Sequence, residues 1–118
     1  MISTIAGTGT ASYSGDNGPA TSAAIYGPSG IVIDSSGNVY FTEGVNNRVR
    51  KITVSTGIIT TYAGTGAFSY GGDGGAATSA AFFNPNGLAI DTAGNAATNI
   101  CSLSHLQYYP PLRQPLYR

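Results

Sequence analysis

The sequence predicts an all-β fold built from antiparallel four-stranded units repeated in tandem. Three observations carry that prediction. Short β-branched runs recur at even spacing, clusters of Gly, Asn and Ser separate them, and the whole pattern returns after 57 residues. Ala6-Gly7-Thr8-Gly9 reappears as Ala63-Gly64-Thr65-Gly66, Gly15-Asp16 as Gly72-Asp73, and Thr21-Ser22-Ala23-Ala24 as Thr78-Ser79-Ala80-Ala81. Aligning 5–38 with 62–95 gives 20 identities in 34 positions without a gap, which marks a duplicated structural unit rather than a compositional accident.

The elements follow in order. Residues 3–9 are expected to form the last strand of a preceding unit. Ser29 to Asp34 is a compact β-branched run stopped by the turn sequence Ser35-Ser36-Gly37-Asn38. Val39 to Glu43 is the second run, with Gly44 to Asn47 as its turn. Arg48 to Thr53 is the third, ending near Ser55-Thr56-Gly57, and Ile58 to Ala63 is the fourth. Turns this short between such runs specify hairpins in a meander. Four strands per repeat is the size of a β-propeller blade, so 28–63 is expected to be one whole blade. Residues 64–84 are a Gly- and Ala-rich connection holding the cluster Gly71-Gly72-Asp73-Gly74-Gly75, and Ala76 to Phe83 has room for one helical turn. Residues 85–91 repeat the first strand. Together these make about one and a half to two blades.

Composition agrees with that architecture and excludes several others. Gly, Ala, Ser and Thr make up close to half of the chain, favouring turns and closely stacked backbone. Charged residues are only 8%, with five basic balancing five acidic, so nothing points to nucleic acid or to an anionic membrane surface. Apolar residues reach 42%, enough to build a core, so the low charge does not signal disorder. A single cysteine excludes an internal disulfide framework and a multi-thiolate zinc site. No apolar run approaches the roughly 18 residues of a membrane helix, and no secretion signal follows Met1.

Pro28-Ser29-Gly30-Ile31-Val32-Ile33-Asp34, then Gly37-Asn38-Val39-Tyr40-Phe41, then Asn46-Asn47-Arg48-Val49-Arg50-Lys51 resembles the NHL repeat. The flanking Ala-Gly-Thr-Gly and Gly-Asp-x-Gly-x-Ala-Thr-Ser-Ala segments are similar to its long-blade type. The likeness covers about residues 3–95 and implies an NHL-type β-propeller, commonly six-bladed. Glu43 stands where that family usually has Asp, which keeps the carboxylate.

After Asn95 the pattern breaks. The chain reads Ala96-Ala97-Thr98-Asn99-Ile100-Cys101, no glycine follows Gly94, and three of the six prolines fall in the last nine residues. Two divisions are expected: 1–95 as repeat segment and 96–118 as an irregular Pro- and Leu-containing tail, arising from a frameshift, a mis-spliced or truncated gene, or a true extension. Pro110, Pro111 and Pro115 lack the donor that a central strand needs. A repeat unit cannot bury its sheet faces alone, and a closed propeller takes at least about four blades. The chain is thus expected to be an incomplete piece of a propeller, the alternative being self-assembly of copies to complete one.

The candidate binding surface comprises Arg48, Arg50, Lys51, Tyr13 and Tyr70. The three basic residues form the only such cluster, and period-2 alternation places Arg48 and Arg50 on one strand face and Lys51 on the other. The competing expectation is structural, with Arg48 pairing with Asp34 or Glu43. Tyr13 and Tyr70 precede equivalent glycine-rich loops, suiting either exposed stacking on a ligand or a small local core. Asp34 and Asp91, each before a Gly-Asn turn, read as Asx turns that bond their own backbone. Gly15-Asp16-Asn17-Gly18 and 71–75 each offer one carboxylate, too few for a calcium loop. His105 and Cys101 lie four residues apart in the aberrant tail with no orienting partner. No catalytic, metal or cofactor residue is assigned. Related propeller lyases and lactone hydrolases use metal-binding His and carboxylates from several blades, whereas the repeats here contain no histidine.

The expected function is therefore a non-enzymatic NHL-repeat scaffold that binds protein or carbohydrate through loops on one face. The alternatives are a piece of a metal-dependent propeller lyase or hydrolase with its catalytic residues in other blades, and a sensor domain of a larger receptor or kinase. Neither nucleic acid nor a membrane segment is expected. Charge and cysteine usage leave the compartment open; an extracellular or cell-surface location is favoured for the parent protein.

Overall fold

A computed structural model describes residues 1–66, 76–79, 87–90, 96–99 and 106–109. Eight strands occur among them: β1 (Gly18–Pro19), β2 (Pro28–Ile33), β3 (Val39–Glu43), β4 (Arg48–Thr53), β5 (Ile58–Ala63), β6 (Gly87–Ile90), β7 (Ala96–Asn99) and β8 (Leu106–Tyr109). Two single 3-10 turns, Ala20–Ser22 and Ala77–Ser79, fall on the repeated Ala-Thr-Ser triplet. Strands β2 to β5 form the antiparallel meander expected over 28–63. Short β1 adds to the outer edge of β5, giving the order β1-β5-β4-β3-β2. The second sheet has the order β6-β7-β8. Among the described residues the chain is all-β apart from the two 3-10 turns, and its antiparallel meander is the expected blade.

The turns form for local reasons. Asp34 Oδ1 accepts the backbone N–H groups of Ser36 and Asn38, both at 2.9 Å, while Gly37 turns the chain at φ +88°. Asp34 Oδ2 accepts from the Asn38 amide and from the Tyr40 hydroxyl. Asn38 also ties this turn to the next through Val54 N–H, 3.0 Å from its Oδ1. Asp34 thus closes the Asx turn expected from the sequence.

Strand β3 is buried on both faces because it is central in the sheet and both faces are covered. On one face Val39, Phe41, Ile52 and Ile59 join Ala20 and Ala23 in the core, with Ala6 and Ile25 packed against it. The loop over 6–25 supplies that cover. It is fastened by backbone bonds from Gly7 to Ala20, Asn17 to Ile59 and Ala20 to Gly57. On the other face Tyr40 meets the edge of Tyr62 at a centroid distance of 5.0 Å.

Two expectations about chain ends require correction. Residues 3–9 form no strand; the segment runs past the sheet, and Gly7 and Gly9 take φ of +96° and +89°. Residues 96–118, expected to be mostly irregular, contribute β7 and β8, and the rest of that stretch lies outside the described residues. Their register repeats that of the first unit at the same 57-residue offset. Phe41 faces Arg50 and Val39 faces Ile52 across β3–β4, while Thr98 faces Gln107 and Ala96 faces Tyr109 across β7–β8. Likewise Ile31↔Phe41 becomes Leu88↔Thr98. The backbone repeat therefore outlasts the residue repeat, because pairing depends on ladder geometry more than on side-chain identity. β6 lies against β2, placing the first strands of successive units side by side.

Candidate functional site

The β3–β4 end of the first blade gathers three loops: 12–16, 24–27 and 44–47. Gly44 N–H reaches Gly27 O at 3.1 Å, and the Asn46 amide reaches Ser12 O at 3.3 Å. At the centre lies Arg50, fully buried. Its Nη1 donates to Glu43 Oε2 at 2.6 Å and to Ala24 O at 3.5 Å. Its Nη2 donates to Asp16 Oδ1 at 3.0 Å and to Ser14 O at 3.1 Å. Only its Nε is without a hydrogen-bond partner. One guanidinium fork thus clamps the long loop onto the strand meander, a task for which a planar multi-donor group is suited.

The two carboxylates are held differently. Glu43 is as buried as Arg50, and its second oxygen accepts from Tyr26 N–H at 3.0 Å and from the Asn46 side-chain amide. Asp16 retains 26% side-chain exposure. Its Oδ2 accepts from the Thr61 hydroxyl at 2.5 Å and the Tyr13 hydroxyl at 2.8 Å. Burial pushes the Asp16 pKa up, but the Thr61 and Tyr13 hydroxyls and the charge of Arg50 outweigh it, so the carboxyl sits below its ordinary value. Asp34 is also lowered: its burial is opposed by bonds from Asn38, Tyr40 and Ser36.

Of the sequence-predicted surface, Tyr13, Arg48 and Arg50 come together. The Arg48 guanidinium lies 3.7 Å from the centroid of the Tyr13 ring, and that of Arg50 4.7 Å. Such stacking over an aromatic face is favourable. Arg48 and Tyr13 are half-buried, forming a ledge at the blade's end. Arg48 also donates to Thr65 O at 2.8 Å, closing the ledge against the loop after β5. Arg50, in contrast, is wholly inside and offers nothing to solvent. Lys51 is on the opposite sheet face, 5.5 Å from the Tyr40 ring. Tyr70 lies outside the described residues, as do Asp73, Asp91, Cys101 and His105.

The expected ion pair of Arg48 with Asp34 or Glu43 is replaced. Register sets Arg48 opposite Glu43, but the bond to Glu43 comes from Arg50, two residues along the same face. The loop explains the exchange, since Asp16 and the Ser14 and Ala24 carbonyls bring acceptors to Arg50 and the Tyr13 ring covers Arg48. Sequence reading missed Asp16 as a structural partner. The available signal was its recurrence as Asp73 within a loop of otherwise uncharged residues. Among the described residues no group of three or more His, Cys, Asp or Glu is placed to hold a metal ion. Among them also, no helix is long and apolar enough to cross a membrane.

Comparison with solved structures finds the same backbone arrangement elsewhere. A protein named "putative phosphatase" from Bacteroides thetaiotaomicron is 26% identical, with a TM-score of 0.68, over 90% of this chain and 26% of its own. A structural genomics protein of unknown function from the same organism is 24% identical with a TM-score of 0.63, over 74% of this chain and 22% of its own. This chain therefore spans about a quarter of the length of either protein. No curated protein matches it. The model of the Teneurin NHL domain matches residues 4–70, the stretch that holds the long loop, the four-stranded meander and the Arg50 clamp. With more than half of its length matched, the chain belongs to the Teneurin NHL domain family.

Proposed function

We propose that this chain is a non-enzymatic interaction segment of an NHL-type propeller, binding a protein or carbohydrate ligand at the β3–β4 end of the blade. The observation that carries this reading is the division of labour among the charged groups. Asp16, Glu43 and Arg50 satisfy one another inside the loop clamp, and Asp34 is consumed in its turn, so each has a structural task. What the clamp presents outward is the Tyr13–Arg48 ledge, an aromatic face with a cation on it. Tyr and Arg are the residue types most often found as binding anchors, since each combines apolar area with directional hydrogen bonding.

The test is a binding screen of the 118-residue chain against arrayed glycans and peptides, followed by calorimetry with any hit. Tyr13→Ala and Arg48→Ala are expected to weaken binding at least tenfold, whereas Lys51→Ala, on the other face, leaves it unchanged. Equal loss in all three variants, or in none, refutes the ledge as the site.

A second reading draws on the structural neighbour named "putative phosphatase". In that reading this segment is part of a hydrolase whose reacting groups lie in other blades. Assay with p-nitrophenyl phosphate, with and without divalent cations, separates the two. The scaffold reading expects no turnover from this chain, and turnover abolished by a substitution in one of its own residues overturns it.

A further inference from the structure

The N-terminal segment carries the sequence of a blade's outer strand, yet it pairs with no strand among the described residues. At the 57-residue offset, residues 1–6 (Met-Ile-Ser-Thr-Ile-Ala) correspond to β5 (Ile-Ile-Thr-Thr-Tyr-Ala), with Ile2, Thr4 and Ala6 matching Ile59, Thr61 and Ala63. In β5 these positions face inward: Ile59 and Ala63 are fully buried. In residues 1–6 the matching Ala6 packs against the core, but Ile2 is 96% exposed and the neighbouring Ile5 56%. Residues 1–6 also enter the first unit as β5 enters the second. β5 packs against the 3-10 turn Ala77–Ser79, and the equivalent turn Ala20–Ser22 receives the Gly7 N–H at 3.0 Å.

A second observation arises on the sheet itself. Ile31 and Ile33 of β2 share the face of Phe41 and Val39 by register, yet each is 62% exposed. Beside them runs an apolar groove of about 280 Å³ lined by Ile5, Ile25, Pro28, Ile31 and Phe41. Apolar side chains so arrayed on one sheet face mark a place for another layer.

Both features specify one neighbour. An outer strand pairs with a strand of the β4 type, and the described residues hold two of these, β4 and its register-equivalent β8. β4 is already paired with β5, while among the described residues β8 is paired with β7 alone. We propose that copies of this chain associate head to tail: residues 1–6 of one copy add as the fourth strand on β8 of the next, and that next copy's second sheet covers the Ile31–Ile33 face. The step from copy to copy repeats the step from first to second sheet within one chain, so the contact continues an interface the fold already contains. Such an interface is heterologous and closes into a ring when its rotation allows. Transferring the β4–β5 register sets Leu106 opposite Ala6, Gln107 opposite Thr4, and Tyr108 opposite Ser3.

The mass of the 118-residue chain in solution, read by light scattering across a concentration series, tests the proposal directly. A multiple of 12.0 kDa is expected. Thr4→Pro, which removes a ladder donor from an exposed segment, and Ile31→Glu, on the exposed face, are each expected to return the monomer mass with an unchanged far-UV circular dichroism spectrum. A third variant, Ser3→Cys with Tyr108→Cys and Cys101→Ser, is expected to give a reducible ladder of covalent oligomers on oxidation. A monomeric wild-type chain overturns the proposal, including the case in which an upstream segment of a longer polypeptide fills the groove instead. An oligomer whose mass survives both Thr4→Pro and Ile31→Glu, or a cysteine variant that stays a single band, overturns it equally.

Discussion

Replacing Arg50 with methionine tests the clamp most directly. Methionine keeps much of the apolar stem and deletes the guanidinium, so the change isolates the charge and its hydrogen bonds. Four acceptors lose the Arg50 donor, Glu43 Oε2, Asp16 Oδ1, Ser14 O and Ala24 O, the last keeping the Ser14 N–H. They do not lose equally. Asp16 keeps the Thr61 and Tyr13 hydroxyls and has access to water, so its share is about 1 kcal/mol or less. Glu43 is fully buried, and with Arg50 gone its charge has no counterion. A buried ion pair broken from one side costs about 3–5 kcal/mol. That is a large fraction of the roughly 5–15 kcal/mol by which a domain is stable. With a urea slope of about 1.5 kcal/mol/M, the unfolding midpoint drops by about 2–3 M. The assay is urea denaturation followed by far-UV circular dichroism at one fixed protein concentration, since any association of copies adds to apparent stability. Adding Glu43→Gln to Arg50→Met removes the stranded charge and is expected to restore at least about 1 kcal/mol. A single variant that loses under about 1 kcal/mol, or a double variant no more stable than the single, refutes the argument that Glu43 burial sets the energy.

Acid sensitivity follows from the lowered carboxyls of Asp16 and Asp34. The unfolded chain takes up their protons at a higher pH than the folded chain does, so their contribution is complete above the ordinary carboxylate range, about pH 4, and is lost as pH falls through the folded values. Thermal midpoints measured from pH 6 to pH 2 are expected to decline below about pH 4, with Asp16→Asn flattening that decline; a variant whose midpoints run parallel to the wild type contradicts the assignment. Gly15→Ala is expected to destabilise the protein by more than about 1 kcal/mol. Gly15 holds φ +90°, and an added Cβ would lie 2.6 Å from Ala23 Cα, a backbone atom that cannot step aside. A urea midpoint unchanged in Gly15→Ala shows that the loop does not pass this close.

Much of the fold was legible because it is local. The runs at 39–43, 48–53 and 58–63 are strands at the predicted bounds, since β-branched residues between glycine- and asparagine-containing turns leave a short chain few other conformations. Asp34 closes its turn using groups within six residues, so its role was readable from Asp34 to Tyr40. The family likeness read from the NHL motifs also holds over the matched residues.

The remainder depends on contacts between distant parts of the chain. Arg48 and Arg50 are indistinguishable as types at alternate positions of one strand. Only the approach of Asp16, 34 residues earlier, makes Arg50 the buried clamp and leaves Arg48 on the Tyr13 ring. The same holds for the ends. Residues 1–6 have the composition of an outer strand, but a strand needs a ladder partner, and that lies outside their own sequence. Residues 96–99 and 106–109 lack the residue repeat, yet they pair in the register of the first unit because β6 presents the edge on which β7 can form. Residue pattern by itself determined the strand meander, its turns and the 57-residue period. The tertiary structure decided which charges are buried, which aromatic faces outward and that strand pairing outlasts the residue repeat, because burial and pairing are properties of neighbours that sequence spacing does not name.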